Sequence, residues 1–213
     1  ACPSSGHALP HPPIDVFIDV GHGGIDGGSQ HGQWLEKDIN LAFSKLLEQS
    51  LNKHHIHTVR NRWSDSALSD DNHWLNNRSR HIRDLAQRKL MMEQLSPKII
   101  VSLHCNWARN PSRHGPITLH QSNQQSFTLA NVVQSHLNSL YHTRHATYYG
   151  RTFYLLKHAP QPTIIIEMGF ISNPSDLKML TTPSNQQMIV EAITSAIWEY
   201  LLILQINEAS EAT

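Results

Sequence analysis

The chain has 213 residues, 39% of them hydrophobic, which suits one domain with a sizeable core. Its 17 Lys and Arg balance its 17 Asp and Glu, so no sequence-wide basic field exists to hold nucleic-acid phosphates or anionic lipid, and nucleic acid is not expected as a partner. No run reaches the roughly 18 uninterrupted apolar residues of a spanning helix, so no transmembrane segment is expected. The chain starts without Met and without a charged, then apolar, leader pattern; any secretory signal is expected to have been removed or never included.

Residues 1–13 carry four prolines, one glycine and two serines and read as a flexible leader or tether. The Ala1-Cys2 start resembles the surroundings of a bacterial lipoprotein cleavage site, which raises lipidation of Cys2. Residues 14–206 form the expected folded domain, and 207–213 a flexible tail. Within the domain, 14–20 reads as a strand and 38–53 as a helix with Ile39, Leu41, Ala42, Leu46 and Leu47 near one face. A second strand is expected at 56–60, then a charged helix over 76–95 that Pro97 stops, then a central strand at 98–103. Residues 116–120 predict a strand, 125–141 a helix, and 152–157 and 163–168 two more strands. A short helix begins at Pro174 and a long one covers 186–204. Strands alternating with helices predict a three-layer α/β/α sandwich with a mostly parallel twisted sheet of about six strands.

Open α/β sheets gather ligands at the carboxyl ends of their strands. Two apolar runs end in histidine there, Ile18-Asp-Val-Gly-His22 and Ile99-Ile-Val-Ser-Leu-His104, and Glu36 opens a helical stretch. Two histidines and a glutamate from separate elements match a catalytic zinc set that leaves the fourth position to water. For Glu36 alone, a favourable interaction with the helix dipole is the ordinary account, and a carboxylate beside two histidines is what strengthens its claim as a ligand. The glycine-rich run 21–28 lacks the Lys-Ser/Thr of a phosphate loop and the dinucleotide spacing. It either lets the backbone approach a ligand closely or forms a turn with an incidental histidine. Most of the 16 histidines lie in polar or terminal contexts and read as solvated or capping groups. Cys2 and Cys105 form no ribbon or redox spacing; a disulfide between them is allowed but not implied. A fourth piece, Thr163-Ile-Ile-Ile-Glu167, closes an apolar strand with a carboxylate, a costly arrangement that commonly does chemistry; the alternative is a cap or a pair with arginine.

Together the blocks Ile18-Asp-Val-Gly-His-Gly-Gly-Ile-Asp-Gly-Gly28, Leu35-Glu-Lys-Asp-Ile-Asn-Leu41, Val101-Ser-Leu-His-Cys-Asn106 and Ile166-Glu-Met-Gly-Phe-Ile-Ser-Asn173 resemble the zinc-dependent N-acetylmuramoyl-L-alanine amidases of the type 3 family. The likeness runs in the family's order from about residue 14 to 204. It implies that His22, Glu36 and His104 bind one zinc ion and that Glu167 is catalytic. It implies peptidoglycan as substrate, the amide between the lactyl group of N-acetylmuramic acid and L-alanine as the bond cleaved, and the periplasm, envelope or extracellular space as the place of work. Arg88 matches an arginine position of relatives, where it would serve substrate or electrostatics, or else a helix-surface ion pair. Asn106 would hydrogen-bond substrate or hold its loop.

His104 and Glu167 are 63 positions apart, an interval already filled by expected elements. A long inhibitory helix of the kind found in cell-division relatives has little room there, so the domain is similar to the compact spore-cortex and phage-lysin amidases. No wall-binding repeat is recognisable, which leaves wall affinity to the catalytic face or to an activating or targeting protein. Val20 stands where many relatives have proline. A zinc peptidase or other amidohydrolase on the same sandwich is the competing enzyme reading, and an inactive wall-binding module the competing non-enzyme one; the latter predicts loss of a ligand or of the acid, and all four are present.

Overall fold

Strand β1 (Val16–Val20) is buried along its whole length, the pattern of a strand covered on both faces. The computed structural model describes residues 12–211; most of the expected leader, residues 1–11, lies outside them. After β1 a small antiparallel hairpin, β2 (Gln30–His31) and β3 (Trp34–Leu35), leads directly into α1 (Glu36–Lys53). Then follow β4 (Thr58–Arg60), a single 3-10 turn at Leu68–Asp70 and α2 (Arg80–Leu95). The central strand β5 (Ile99–Asn106), β6 (Ile117–His120), α3 (Gln124–Tyr141), β7 (Tyr148–Tyr149), α4 (Tyr154–His158), β8 (Thr163–Phe170), α5 (Pro174–Thr181) and α6 (Pro183–Glu211) complete the chain.

The six-stranded sheet runs β4-β1-β5-β8-β6-β7. It is parallel except where β6 pairs antiparallel to β8, so the predicted α/β architecture with about six strands is what the chain adopts. Side chains two apart share a sheet face. Val16, Ile18, Val20, Val101, Leu103, Ile164 and Ile166 belong to one large core cluster with residues of α1, α3 and α6, whereas Phe17 and Ile100 meet Met92 of α2 and Leu155 of α4 in a second, much smaller cluster.

Helix starts follow local chemistry. The side chain of Ser79 accepts the Ile82 N–H at 3.3 Å, and that of Asn123 the Ser126 N–H at 2.8 Å, satisfying donors that the first turn leaves free. Because Ser79 is the cap, α2 begins four residues later than the expected 76. It ends at Ser96, which is left-handed at φ 45 and precedes Pro97.

Residues 152–157 are not a strand. Their aromatic and apolar run forms α4 instead, since β8 already has β5 and β6 on its two edges and Leu155 is needed in the smaller core cluster. The adjoining strand is β7, two residues long. Helix α6 reaches Glu211, into the segment expected as a tail. Over Pro183–Asn207 it is long and apolar enough to cross a membrane by length and composition, which a search for uninterrupted apolar runs misses because Gln, Glu, Thr and Ser are interspersed. In the fold, Ile189, Ile193, Ala196, Ile197 and Tyr200 are buried in the core, and α6 packs on α1 and α3. A core role predicts that Ile193→Asp costs at least about 3 kcal/mol in urea denaturation, while Trp198→Glu, on the half-exposed outer face, stays within about 0.5 kcal/mol.

Candidate active site

Parallel pairing sets His104 of β5 directly opposite Glu167 of β8 and Asp19 of β1 opposite Ser102. By the alternation of side chains, Asp19, Ser102, His104 and Glu167 all project toward the face carrying α2 and α4, where the thin core leaves space. There a cavity of about 750 Å³ opens, lined by His22, Glu36, His104, Asn106 and Glu167 among others. Its size suits a small-molecule or polymer-segment ligand.

His22, Glu36 and His104 converge in this cavity. Glu36 Oε1 lies 3.1 Å from His22 Nε2 and 2.9 Å from His104 Nδ1, and one donor atom from each residue falls within 4.8 Å of the others. Donors around a tetrahedral zinc ion, with bonds of about 2.1 Å, stand roughly 3.4 Å apart. The set therefore fits such an ion in both chemistry and spacing. Its supports fit as well. Asp26 Oδ2 accepts from His22 Nδ1 at 2.8 Å, the carboxylate–histidine arrangement that orients metal ligands. Glu36 accepts backbone N–H groups from Ser29 at 2.8 Å and Cys105 at 3.1 Å.

Two glycines are required by contact. A Cβ on Gly21 would lie 2.5 Å from His104 Cε1, and one on Gly28, at φ +66, would lie 2.7 Å from both Glu36 Oε2 and His22 Cδ2. The glycine-rich run is thus a close-approach segment and not an ordinary turn. His22 itself is left-handed, at φ 62, a conformation uncommon outside glycine.

What holds it there is a pair of arginines. Arg88 Nη1 donates to Val20 O at 2.7 Å and Arg88 Nη2 to His22 O at 3.0 Å, while Arg62 Nη2 donates to Gly21 O at 3.2 Å and Lys37 O at 2.9 Å. Arg88 also pairs with buried Asp19 at 2.8 Å and with Asp84 at 2.5 Å. It is 3% exposed, so the helix-surface alternative does not hold; its bonds go to the frame behind the cluster. Asn106 Oδ1 accepts the Trp107 N–H at 2.8 Å, and the residue also lines the cavity. Asp26, Arg62 and Asp19 were not singled out by sequence. Asp26 had a local signal, an acid four residues after a histidine; the other two act on the site through contacts 25 or more residues distant in sequence.

The electrostatics follow from burial and charge. Burial opposes ionisation of Glu36, but hydrogen bonds to His104 and His22 overcome it and hold the carboxyl well below the usual range. Burial likewise opposes the charged form of His22, yet its bonds to Glu36 and Asp26 raise it to about 9. Glu167 differs: burial pushes it up to about 7, against the pull of the two histidines, and among the described residues its buried Oε2 has no hydrogen-bond partner. An orphaned carboxylate oxygen beside a convergent His-Glu-His set can serve as a proton acceptor.

A family profile described as N-acetylmuramoyl-L-alanine amidase matches residues 16–199. The chain belongs to that family. It is accordingly a hydrolase of the amide between N-acetylmuramic acid and L-alanine in peptidoglycan. Among relatives, the Bacillus subtilis protein YqiI, itself uncharacterized, is 32% identical over 188 residues, covering 87% of this chain and 84% of that one. The germination-specific N-acetylmuramoyl-L-alanine amidase of the same species is 27% identical over 187 residues, 87% of this chain and 78% of its own. Among solved structures, the CwlD amidase from Clostridioides difficile, in complex with the GerS lipoprotein, superposes with a TM-score of 0.83 at 29% identity over 89% of this chain and 99% of that one.

Two stability predictions follow. Removing Arg88 leaves the buried carboxylate of Asp19 uncompensated, so Arg88→Met is expected to cost about 3–5 kcal/mol in urea denaturation, partly recovered by adding Asp19→Asn. Glu167, raised above the unfolded value of 4.5, binds its proton more tightly folded than unfolded. Its contribution therefore erodes stability as pH rises from about 4.5 through about 7. In chelator-treated protein, Glu167→Gln is expected to be more stable than the parent by on the order of 3 kcal/mol at pH 8, with the gap closing at pH 4.5.

Proposed function

We propose that the amidase reaction runs on one zinc ion held by His22, Glu36 and His104, with Glu167 as the general base and acid. The observation that carries the reading is the unpartnered Oε2 of Glu167, placed one strand from His104 in the cavity that the three donors line. When bound, zinc supplies Lewis acidity, polarising a carbonyl and acidifying water.

The chain's own groups do the rest. Glu167 Oε2 takes a proton from the attacking water as its oxygen bonds to the lactyl carbonyl carbon. It returns that proton to the alanine nitrogen as the C–N bond breaks, so a neutral amine leaves and the lactyl carboxyl remains. A carboxyl near pH 7 in its affinity for a proton is matched to both halves of that exchange. Asp26 fixes the ring of His22 through its Nδ1. Arg88 and Arg62 hold the carbonyls of residues 20–22, so the site is pre-arranged and not assembled by substrate. Arg88 thus supports the site electrostatically, and Asn106 serves its loop.

The reading places the protein at the cell envelope or outside the cell, where peptidoglycan is. Relatives named as cell wall amidases support that place. One relative was solved with a lipoprotein partner, which supports an accessory protein here too. The Pro-rich segment 1–13 is proposed as a tether to the catalytic domain.

The test uses purified peptidoglycan and the protein as isolated, chelator-stripped and zinc-restored, with mass spectrometry of released fragments. Free peptides beginning with L-alanine, lost on stripping and regained with zinc, are expected; cleavage inside the peptide would replace the reading with a peptidase. Glu167→Gln is expected to retain one zinc per chain but lose about 10²–10⁴-fold in kcat, and His22→Ala to lose zinc.

A further inference from the structure

Resting on that reading, we propose that Trp107 and Phe153 form a stacking platform for the sugar on the acyl side of the scissile amide, so that they set the enzyme's preference for glycan-bearing substrate. Both side chains line the cavity that holds Glu167 and His104. Both remain open to solvent, Trp107 at 49% and Phe153 at 39%. A half-exposed indole on the wall of a catalytic cavity leaves apolar area in water that a ligand can cover.

Backbone hydrogen bonds anchor the chain at Trp107 and Phe153. Asn106 Oδ1 accepts the Trp107 N–H at 2.8 Å, and the next N–H, of Ala108, donates to Ser172 Oγ at 2.9 Å. Phe153 is the N-cap of α4, and its N–H donates to Gly150 O at 3.1 Å. Among the described residues, the indole Nε1 of Trp107 has no hydrogen-bond partner. A pyranose ring offers both features such a surface needs: an apolar face of C–H groups and a rim of hydroxyls that can accept from Nε1.

Charge separates the two halves of the substrate. The cavity wall carries the acids Asp26, Glu36 and Glu167 beside His22, His81 and His104 and, among the described residues, neither Lys nor Arg. A stem peptide ends in a carboxylate, for which this wall offers no guanidinium or ammonium partner. The muramic sugar is uncharged once its lactyl carboxyl is in the amide. The neutral half therefore belongs against Trp107 and Phe153.

The experiment compares zinc-loaded parent, Trp107→Ala and Trp107→Phe on two substrates, a disaccharide-bearing muropeptide and the same peptide carrying only a lactyl cap. Trp107→Ala is expected to raise KM for the muropeptide at least about tenfold with kcat within about twofold, to leave the lactyl peptide unchanged, and to be largely rescued by Trp107→Phe. An unchanged muropeptide KM, or an equal rise on both substrates, overturns the proposal; the equal rise would mean that the platform grips peptide. A second readout needs no turnover: saturation-transfer NMR with the methylamide of the lactyl disaccharide. Transfer to the sugar protons in the parent and its loss in Trp107→Ala are expected, and absence of transfer in the parent overturns the subsite. If sugar binds at Trp107 while the parent cleaves neither substrate, the catalytic reading has failed and the subsite stands.

Discussion

The register between β5 and β8 is the constraint on which everything else in this protein depends. Parallel pairing puts His104 opposite Glu167, and the two-residue repeat of a strand then decides which face both occupy. A shift of one residue in either strand would send one of the two groups into the large apolar core, where Leu103 and Ile166 now sit. Neither group could be moved without unmaking the sheet's interior. The chemistry is therefore tied to the part of the fold with the largest hydrophobic driving force, which is how a group as costly to bury as Glu167 is kept in place.

The glycine-rich segment after β1 has the opposite character. It has little side-chain mass of its own and is shaped by what reaches in from elsewhere: Arg62 from beyond β4 and Arg88 from α2. Buried guanidinium groups are expensive unless all their donors are used. Here they are used largely on backbone carbonyls, with Asp19 and Asp84 balancing charge for Arg88. The outcome is a loop with the definition of a strand, able to hold a histidine in a left-handed conformation that isolated chain would avoid.

The sequence carried the strand-end groups openly. His104 and Glu167 each interrupt a run of branched aliphatic residues, and that contrast reads without a structure; so does the alternation that gives the sandwich. Glu36 read only in company, because an acid at a helix start has an ordinary electrostatic reason to be there. Asp19 and Arg62 did not read at all, since their partners lie in other elements and no local pattern encodes such pairing. Arg88 read as a position but not as a buried one, because a polar helix in isolation gives no sign of which charge turns inward. The misassigned segment 152–157 shows the same limit. Short apolar runs serve strand or helix equally, and the sheet's full edges decided between them.

The two helical layers over the sheet are unequal. One buries most of the core; the other, among the described residues, rests on five buried hydrophobics, Phe17, Met92, Ile100, Leu155 and Ala159, with Leu85, Met91, Leu95 and Tyr154 partly buried around them, and α4 is a helix of only five residues. Segments so lightly anchored open at a small fraction of the global unfolding free energy. The wall of the cavity that α4 forms can therefore breathe, and can be rewritten by substitution, while the sheet and the three convergent donors stay as they are. In this architecture substrate range and foldability are governed by different halves of the molecule.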